Sequence, residues 1–440
     1  MGTLRSLGEG GGASEGSALR SVWRGATAVR PWGSTEMKIG FHVTGGEEWQ
    51  GGISHLGVFL QALNQHYSGK VTVCLLVPED RSPTLDGLRE TADEIVPIRA
   101  FRRWTIPWVM DRAIKQALSR DWLNSELLRR HKIDAVFGLC MPYRYRDIPT
   151  LSWVYDFQHV HMPQMFHRRE RIARDWAFSQ TARRSTRIIV MSDAVKRDFQ
   201  SFFPRHAHKA RIVKTATYVP PSVYEAQPKS VTAVYSLPEK FVYLPNQFWK
   251  HKNHVLAFEA VKLLKDRGVK AFVVCSGYQQ DVRHPRYFAD LLRQLADWKI
   301  EDQVRLLGLV PRRHVFQLLR QSVCVLNPSM FEGFGLSVDE ACSVGKKILL
   351  SDIPAHREQD VPQGVFFDPR NVEDLAEKLR AIWLDAVPGP HLEMEFEARK
   401  KLPQRLATCA NSFMAVVQEV IATKNRDQVR SVLRRMHKER

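Results

Sequence analysis

Short apolar segments alternate with helix-forming segments along most of this 440-residue chain. The apolar segments are nearly continuous in Val, Ile, Leu and Phe, as in KVTVCLLV and RIIVMS. Such runs, separated by helices, are typical of strands buried on both faces of a parallel sheet. The pattern therefore predicts a doubly wound α/β architecture.

The alternation occurs twice, which predicts two Rossmann-like units in tandem. In the first unit we predict strands at 38–43, 70–77, 94–99, 133–140, 150–155 and 187–192, and helices at 53–66 and 168–185. In the second we predict strands at 240–246, 271–277, 303–310, 323–329 and 346–352, and helices at 254–268, 314–321, 374–386 and one opening at Leu336. Ligands of such sheets bind at the carboxyl ends of the strands, so the cleft between the units is the expected site.

The length of the chain also favours two domains, because single cores rarely grow so large. We expect a disordered, Gly- and Ser-rich leader over residues 1–36, without a role in the fold. An N-terminal Rossmann-like domain is predicted over 37–215. A C-terminal Rossmann-like domain follows over 216–390, and helices with a basic tail complete the chain over 391–440.

The net charge of +18 predicts a partner that is polyanionic: nucleic acid, an anionic membrane surface or a phosphorylated small molecule. A generally basic, solvated surface explains the same charge. The six cysteines form no C-x-x-C pair and most lie in apolar runs, which favours buried thiols in a reducing cytosol. We therefore expect a cytoplasmic protein, with peripheral contact at the inner face of the membrane.

Several cofactor motifs are missing from the sequence. Neither unit opens with G-x-G-x-x-G, and no G-x-x-x-x-G-K-[ST] is present, which argues against a dinucleotide or P-loop enzyme. No Asp-x-Asp pair occurs, so the simplest way to hold a divalent cation on a diphosphate is absent.

The segment PSMFEGFGLSVDEA (328–341) carries the strongest chemical signal. Glu332 is predicted in the loop after a strand, and Glu340 on the helix that follows. Gly333 and Gly335 would let backbone amides approach a ligand, and a helix N-terminus at Leu336 favours phosphate. Two glutamates eight positions apart also occur by chance, on an exposed loop and a helix face. Their setting between an apolar strand and a helix is far more specific.

This segment resembles the retaining glycosyltransferases of the GT-B fold that use nucleoside diphosphate sugars (glycosyltransferase group 1, or family 4, type). The resemblance extends over 37 to about 425 and includes KKILLSDIPAHRE (346–358). It implies that the N-terminal domain (37–215) lies on the acceptor side and that the C-terminal domain (216–390) binds the nucleotide sugar. Within the second domain it implies that Glu332 lies near the donor sugar and Glu340 binds the ribose. It also places the donor against the loop that follows Glu332, with these residues: Gly333, Phe334, Gly335 and Leu336.

A second segment, LPNQFWKHKNH (244–254), lies where the family usually has an Arg and a Lys that bind the donor diphosphate. Lys252 matches the Lys, but Gln247 stands at the Arg position. A subgroup resembles this chain in having P-N-Q-F-W-x-H-K-N together with D-F-Q-H. Lys250, Arg283 or a helix N-terminus are the candidates for the missing charge, which must balance the developing charge on the leaving diphosphate.

The first unit resembles the family in two loops. Gly51 and Gly52, in TGGEEWQGGISHLG, would allow close approach of donor phosphate or acceptor. In YDFQHVHMPQMF, Asp156 matches the Asp that faces the sugar, and His159 is the candidate for the His contact, though a lone His is as often structural. Ser192 is expected to be a structural helix N-cap.

The resemblance implies a hexosyl- or deoxyhexosyltransferase of polysaccharide biosynthesis that retains anomeric configuration. Its expected catalytic residues are Glu332, Lys252, Asp156 and His159, with no cofactor and no metal. Its partners would be a nucleotide-sugar donor and a glycan or lipid-linked acceptor, not nucleic acid. The alternatives are an epimerase of nucleotide sugars or a phosphorylase on the same fold, or a basic nucleic-acid-binding protein.

Overall fold

A computed structural model describes residues 37–43, 50–78, 86–98, 105, 109–111, 113–115, 120–145 and 147–438. The leader and the first part of the glycine-rich loop, residues 44–49, lie outside this range.

The first domain contains a seven-stranded parallel sheet in the order β3-β2-β1-β4-β5-β6-β7. Its strands are β1 (Met37–His42), β2 (Val71–Pro78), β3 (Glu94–Ile98), β4 (Ala135–Leu139), β5 (Thr150–Trp153), β6 (Arg187–Val190) and β7 (Ala210–Ile212). All six strands predicted in this half are present. The strand β7 at the edge is an addition, because three residues with a central Arg give no apolar run.

The second domain contains a six-stranded parallel sheet in the order β10-β9-β8-β11-β12-β13. Its strands are β8 (Val242–Leu244), β9 (Val273–Cys275), β10 (Val304–Leu306), β11 (Cys324–Asn327), β12 (Ile348–Ser351) and β13 (Gly364–Phe367). The five predicted strands are confirmed and β13 is added at the edge. Both sheets are doubly wound around a buried core, so the predicted GT-B architecture is confirmed.

Helices connect the strands and cover both sheets. They are α1 (Gln50–Tyr67), α2 (Asp86–Arg89), α3 (Trp122–Arg130), α4 (Gln158–His161), α5 (Arg168–Arg184), α6 (Asp193–Phe202), α7 (Pro221–Glu225), α8 (Ser230–Val234), α9 (His254–Asp266), α10 (Tyr287–Asp297), α11 (Arg312–Gln321), α12 (Leu336–Ser343), α13 (Pro354–Arg357), α14 (Val372–Asp385) and α15 (Leu392–Lys438). The proline-rich segment predicted to join the two units contains α7 and α8.

The long helix α15 returns from the second domain to the first. Near its start, the carboxylate of Glu395 accepts two hydrogen bonds from the buried guanidinium of Arg320 on α11, at 2.8 and 3.0 Å. Further along, the ring of Phe413 packs among Phe41, Phe59 and Phe137 of the first domain. The helix therefore ties the two domains together, which the sequence did not predict.

The segment Leu392–Lys424 of α15 is long and apolar enough to cross a membrane by length and composition alone. In the structure Leu406, Val417 and Val420 of this segment are buried in the core of the protein, whereas Leu392 and Phe396 near its start are exposed. Packing against the fold thus explains the buried part of its apolar surface.

Candidate active site

A cleft of about 550 Å³ lies between the two domains, at the carboxyl ends of strands from both sheets. This is where two facing parallel sheets are expected to bind ligands. Residues of both domains line it, and these carry the chemistry: Gly52, His55, Tyr155, Asp156, Gln158, Arg174, Asn246, Gln247, Trp249, His251, Lys252, Arg283, Arg312, Glu332, Gly333, Phe334, Gly335, Leu336, Ser337 and Glu340.

Glu332 lies in the loop after β11, and its carboxylate is paired with Lys252. The Lys252 ammonium donates to Glu332 Oε1 at 2.6 Å, and the Ser329 hydroxyl lies 2.7 Å from the same oxygen. Burial alone would raise the pKa of Glu332, but the charge and hydrogen bond of Lys252 lower it to about 2. The glutamate is therefore an anion at neutral pH, held in one orientation within the cleft.

A buried ring of side-chain hydrogen bonds supports this loop. The Asn246 amide donates to Asn327 at 3.2 Å, Asn327 donates to Ser337 at 3.0 Å, and Ser337 donates back to Asn246 at 3.1 Å. The backbone N–H of Ser329 donates to the same Asn327 oxygen at 3.2 Å. The ring joins the ends of β8 and β11 to the first turn of α12, and through Ser329 it reaches Glu332.

Glu340 lies on the second turn of α12 with its carboxylate facing the same cleft. Its side chain is only 7% exposed and is paired with Arg312, the first residue of α11. The Arg312 side chain is 43% exposed and can leave the glutamate without a large packing cost. A ligand that needs the Glu340 oxygens would displace this arginine.

The glycine loop between Glu332 and α12 is shaped by close contacts. A Cβ on Gly333 would lie 2.1 Å from the carbonyl oxygen of Tyr155 in the first domain, so only glycine fits here. Gly335 has a φ of +94° and caps α12 without a side-chain hydrogen bond. The first amides of α12, beginning at Leu336, therefore lie free of side-chain caps beside the cleft. Phe334 is buried and packs against the His55 ring.

Contacts between the domains hold this loop in place. The Ser192 hydroxyl donates to the carbonyl oxygen of Gly333 at 2.7 Å and accepts from the Val195 amide at 3.2 Å, as an N-cap of α6. Glu358 of the second domain accepts from the Asp193 amide at 2.6 Å and pairs with Arg197 at 2.8 Å. The cleft is thus formed with the domains in direct contact.

Gln247 lines the cleft beside Lys252, as the resemblance places it. Of the candidates for the missing positive charge, Arg283 lines the cleft and Lys250 does not. The Lys250 backbone N–H instead donates to Asp281 at 2.9 Å. Arg312 is a further cleft cation that the sequence did not single out.

In the first domain, Asp156 lines the cleft and accepts a hydrogen bond from the backbone N–H of Gln158 at 3.1 Å. Burial raises the pKa of Asp156 despite the opposing charge of Arg174. His159, the candidate for the His contact, lies outside the lining of the cleft. It is 2% exposed, and its Nε2 contacts Asp175 at 3.0 Å. The sequence places this histidine on the short helix α4 but does not say which side of the helix it occupies. In the structure His159 lies on the buried, apolar side.

Gly51 and Gly52 belong to the first turn of α1, not to the loop before it, and Gly52 lines the cleft. The charged or titratable cleft residues that the sequence did not single out include His55, Arg174 and Arg312. Burial lowers the pKa of His55 to about 4, so its ring is neutral at pH 7. Among the described residues, no group of three or more His, Cys, Asp or Glu side chains forms a candidate metal site.

Comparisons with known proteins agree with this geometry. The family model for glycosyl transferases group 1 matches residues 233–401. A GDP-mannose:cellobiosyl-diphosphopolyprenol alpha-mannosyltransferase of Xanthomonas campestris is 25% identical over 152 residues, which is 34% of this chain and 37% of that protein. Its counterpart from Xanthomonas oryzae pv. oryzae is 26% identical over 130 residues, 29% of this chain and 32% of that protein. The matches thus span about a third of these curated relatives.

Solved structures resemble the whole chain in fold. A glycosyltransferase from Rickettsia africae superposes with a TM-score of 0.60 at 14% identity, covering 89% of this chain and 99% of that one. An Anabaena protein in complex with UDP and glucose superposes with a TM-score of 0.57 at 15% identity, covering 90% and 99%. The chain therefore has the two-domain GT-B fold, and its residues 233–401 match the family model of glycosyl transferases group 1.

Proposed function

We propose that this protein is a glycosyltransferase that moves a sugar from a nucleoside diphosphate sugar to an acceptor hydroxyl, with retention of anomeric configuration. One observation carries the proposal. Glu332, fixed by Lys252, and Glu340, on the following helix, face a single cleft between two parallel sheets. The family match over this region and the glycosyltransferases of the same fold support it.

In the proposed mechanism, the ribose hydroxyls of the donor bind the Glu340 carboxylate and displace Arg312 from it. Arg312 then contacts the donor phosphates and supplies the charge that Gln247 lacks. Lys252 and the uncapped amides at the start of α12 stabilise the negative charge that develops on the leaving diphosphate. We propose that these groups neutralise the diphosphate without a metal ion or cofactor.

In a single displacement, retention requires the acceptor to attack from the face that the diphosphate leaves. We propose that the departing diphosphate takes the acceptor proton, while Glu332 orients the donor sugar and Asp156 contacts it from the first domain. This route forms no covalent glycosyl-enzyme intermediate, so it needs no second carboxylate as a nucleophile. An epimerase on the same fold would release a free altered sugar nucleotide or sugar without glycosylating an acceptor, so the product distinguishes the two.

The donor and acceptor are proposed from the relatives. The Xanthomonas proteins are named for GDP-mannose and for a lipid-linked diphosphate acceptor, so we propose a hexosyl donor and a glycan or lipid-linked acceptor. With a net charge of +18, the protein would work at the cytoplasmic face of an anionic membrane. Failure to bind anionic vesicles at low salt would remove the membrane from this proposal.

A thermal-shift screen with UDP-, GDP-, ADP- and dTDP-sugars tests the proposed function. We expect one nucleotide class to raise the Tm, because a ligand that binds only the folded state stabilises it. Glu340→Ala should abolish this shift, since the ribose loses its buried acceptor. Glu377→Ala, an exposed glutamate on α14, is the matched control and should keep it. An undiminished shift in Glu340→Ala would contradict the ribose assignment.

A further inference from the structure

The first-domain side of the cleft holds two N–H groups without partners. Gln158 is 3% exposed and lines the cleft, and its Nε2 has no hydrogen-bond partner. Arg174 on α5 also lines the cleft, and its buried Nη1 has none either. Asp156 Oδ1 lies 3.7 Å from that nitrogen, which is beyond hydrogen-bond distance. Buried donors are normally paired, so their position indicates a ligand that supplies acceptor atoms.

The Arg174 side chain is held in place for such a ligand. Its guanidinium lies over the ring of Phe166 at 4.8 Å and over that of Tyr155 at 5.5 Å. Its Nε lies 3.6 Å from Glu170 Oε1. A planar guanidinium that is fixed by stacking loses little freedom when it binds an oxyanion.

A second guanidinium group lies beside Arg174, and the carboxylates of Glu170 and Asp156 lie next to the pair. Arg283 stacks on the same Phe166 ring at 4.2 Å, and its Nε donates to Glu170 at 3.1 Å, so one carboxylate serves two guanidinium groups. The start of α5 carries three exposed arginines: Arg168, Arg169 and Arg171. The positive end of the α5 dipole lies at the same place.

We propose that Gln158 and Arg174 form an acceptor subsite that binds a phosphate or diphosphate group carried by the acceptor. This inference rests on the proposed function, in which Lys252 and Arg312 bind the donor diphosphate on the other side of the cleft. The free groups are both N–H donors and two guanidinium groups lie together on the Phe166 ring, so a phosphate oxyanion is their chemical complement. The acceptor is therefore an anionic glycan rather than a neutral one.

Calorimetric titration of the full-length protein tests this subsite, with and without a saturating nucleoside diphosphate. Three probes are used: inorganic pyrophosphate, a water-soluble short-chain glucosyl diphosphate lipid, and the matching uncharged alkyl glucoside. We expect the glucosyl diphosphate to bind the nucleotide-saturated protein at least about tenfold more tightly than the alkyl glucoside. Arg174→Gln should remove that advantage, while Arg183→Gln, an exposed arginine at the other end of the same helix, should keep it.

The outcomes separate this subsite from the proposed function. Equal binding of glucosyl diphosphate to the wild-type protein and to Arg174→Gln would overturn the subsite, as would binding of pyrophosphate alone. A normal nucleotide-induced Tm shift in Arg174→Gln shows that the variant is folded and that the donor side is intact. If Arg174→Gln does not fold, Gln158→Glu replaces the amide donor with a like charge and should abolish binding of the glucosyl diphosphate. If no nucleotide binds to any protein, the proposed function fails while the titration without nucleotide still tests the subsite.

Discussion

Glu332→Gln is expected to lower kcat about a thousandfold while donor binding stays within about threefold of the wild type. The substitution keeps the shape of the side chain and removes the negative charge that faces the donor sugar. It also releases Lys252, which lies 2.6 Å from the carboxylate and can then bind the donor phosphates instead. Turnover of the donor identified by the thermal-shift screen, with the Kd from calorimetry, measures both quantities.

Glu301→Gln is the matched control, because this glutamate lies exposed on the second domain, away from the cleft. It should have wild-type turnover. If Glu332→Gln also keeps its kcat within about threefold, the carboxylate has no part in the chemical step. Equal losses in kcat and in donor affinity would indicate that Glu332 acts in donor binding and not in the chemical step.

Lys252→Met is expected to have a second large effect, lowering kcat at least about a thousandfold and weakening donor binding about tenfold or more. The variant loses the ammonium that balances the leaving diphosphate. Lys250→Met is the control, since this exposed lysine lies two positions away and does not line the cleft. Turnover and donor affinity in Lys250→Met should be close to wild type. Unchanged donor binding in Lys252→Met would contradict the diphosphate contact.

The pH dependence of stability provides a second readout for this pair. The pKa of Glu332 is lowered from 4.5 to about 2 in the folded protein. The pair therefore contributes about 3 kcal/mol that is fully present above pH 4.5 and is lost as the pH falls towards 2. In Lys252→Met, burial is left to raise the pKa of Glu332 above its ordinary value of 4.5, so this variant should lose stability as the pH rises above 4.5. Tm measured between pH 4 and 8 distinguishes the two proteins.

The central strands could be predicted because parallel strands are buried on both faces and read as continuous apolar runs. The edge strands β7 and β13 could not, since ARI and GVFF are short and only partly buried. The helix α10 was not predicted either, because its apolar residues alternate with many polar ones. The packing of α15 against the first domain could not be predicted, because an apolar helix face indicates burial but not the surface that buries it.

The residues of the candidate site also include some that the sequence could place and some that it could not. Glu332, Glu340 and Lys252 could be placed because each lies next to a strand end or a helix start in a recognisable segment. Arg174 and Arg283 come from positions more than 100 residues apart, and only the fold brings them to one phenyl ring. His159 shows the opposite limit, since its distance from a strand end could not say which side of α4 it faces.

Proton NMR of the earliest turnovers tests the central claim most directly. The wild-type protein is mixed with the α-linked sugar nucleotide chosen by the screen, and the anomeric proton of the first sugar released or transferred is recorded before mutarotation. We expect the α-anomer and release of the nucleoside diphosphate, both abolished in Glu332→Gln. Initial formation of the β-anomer would contradict retention, and no consumption of any donor in the screen would contradict glycosyl transfer in this cleft.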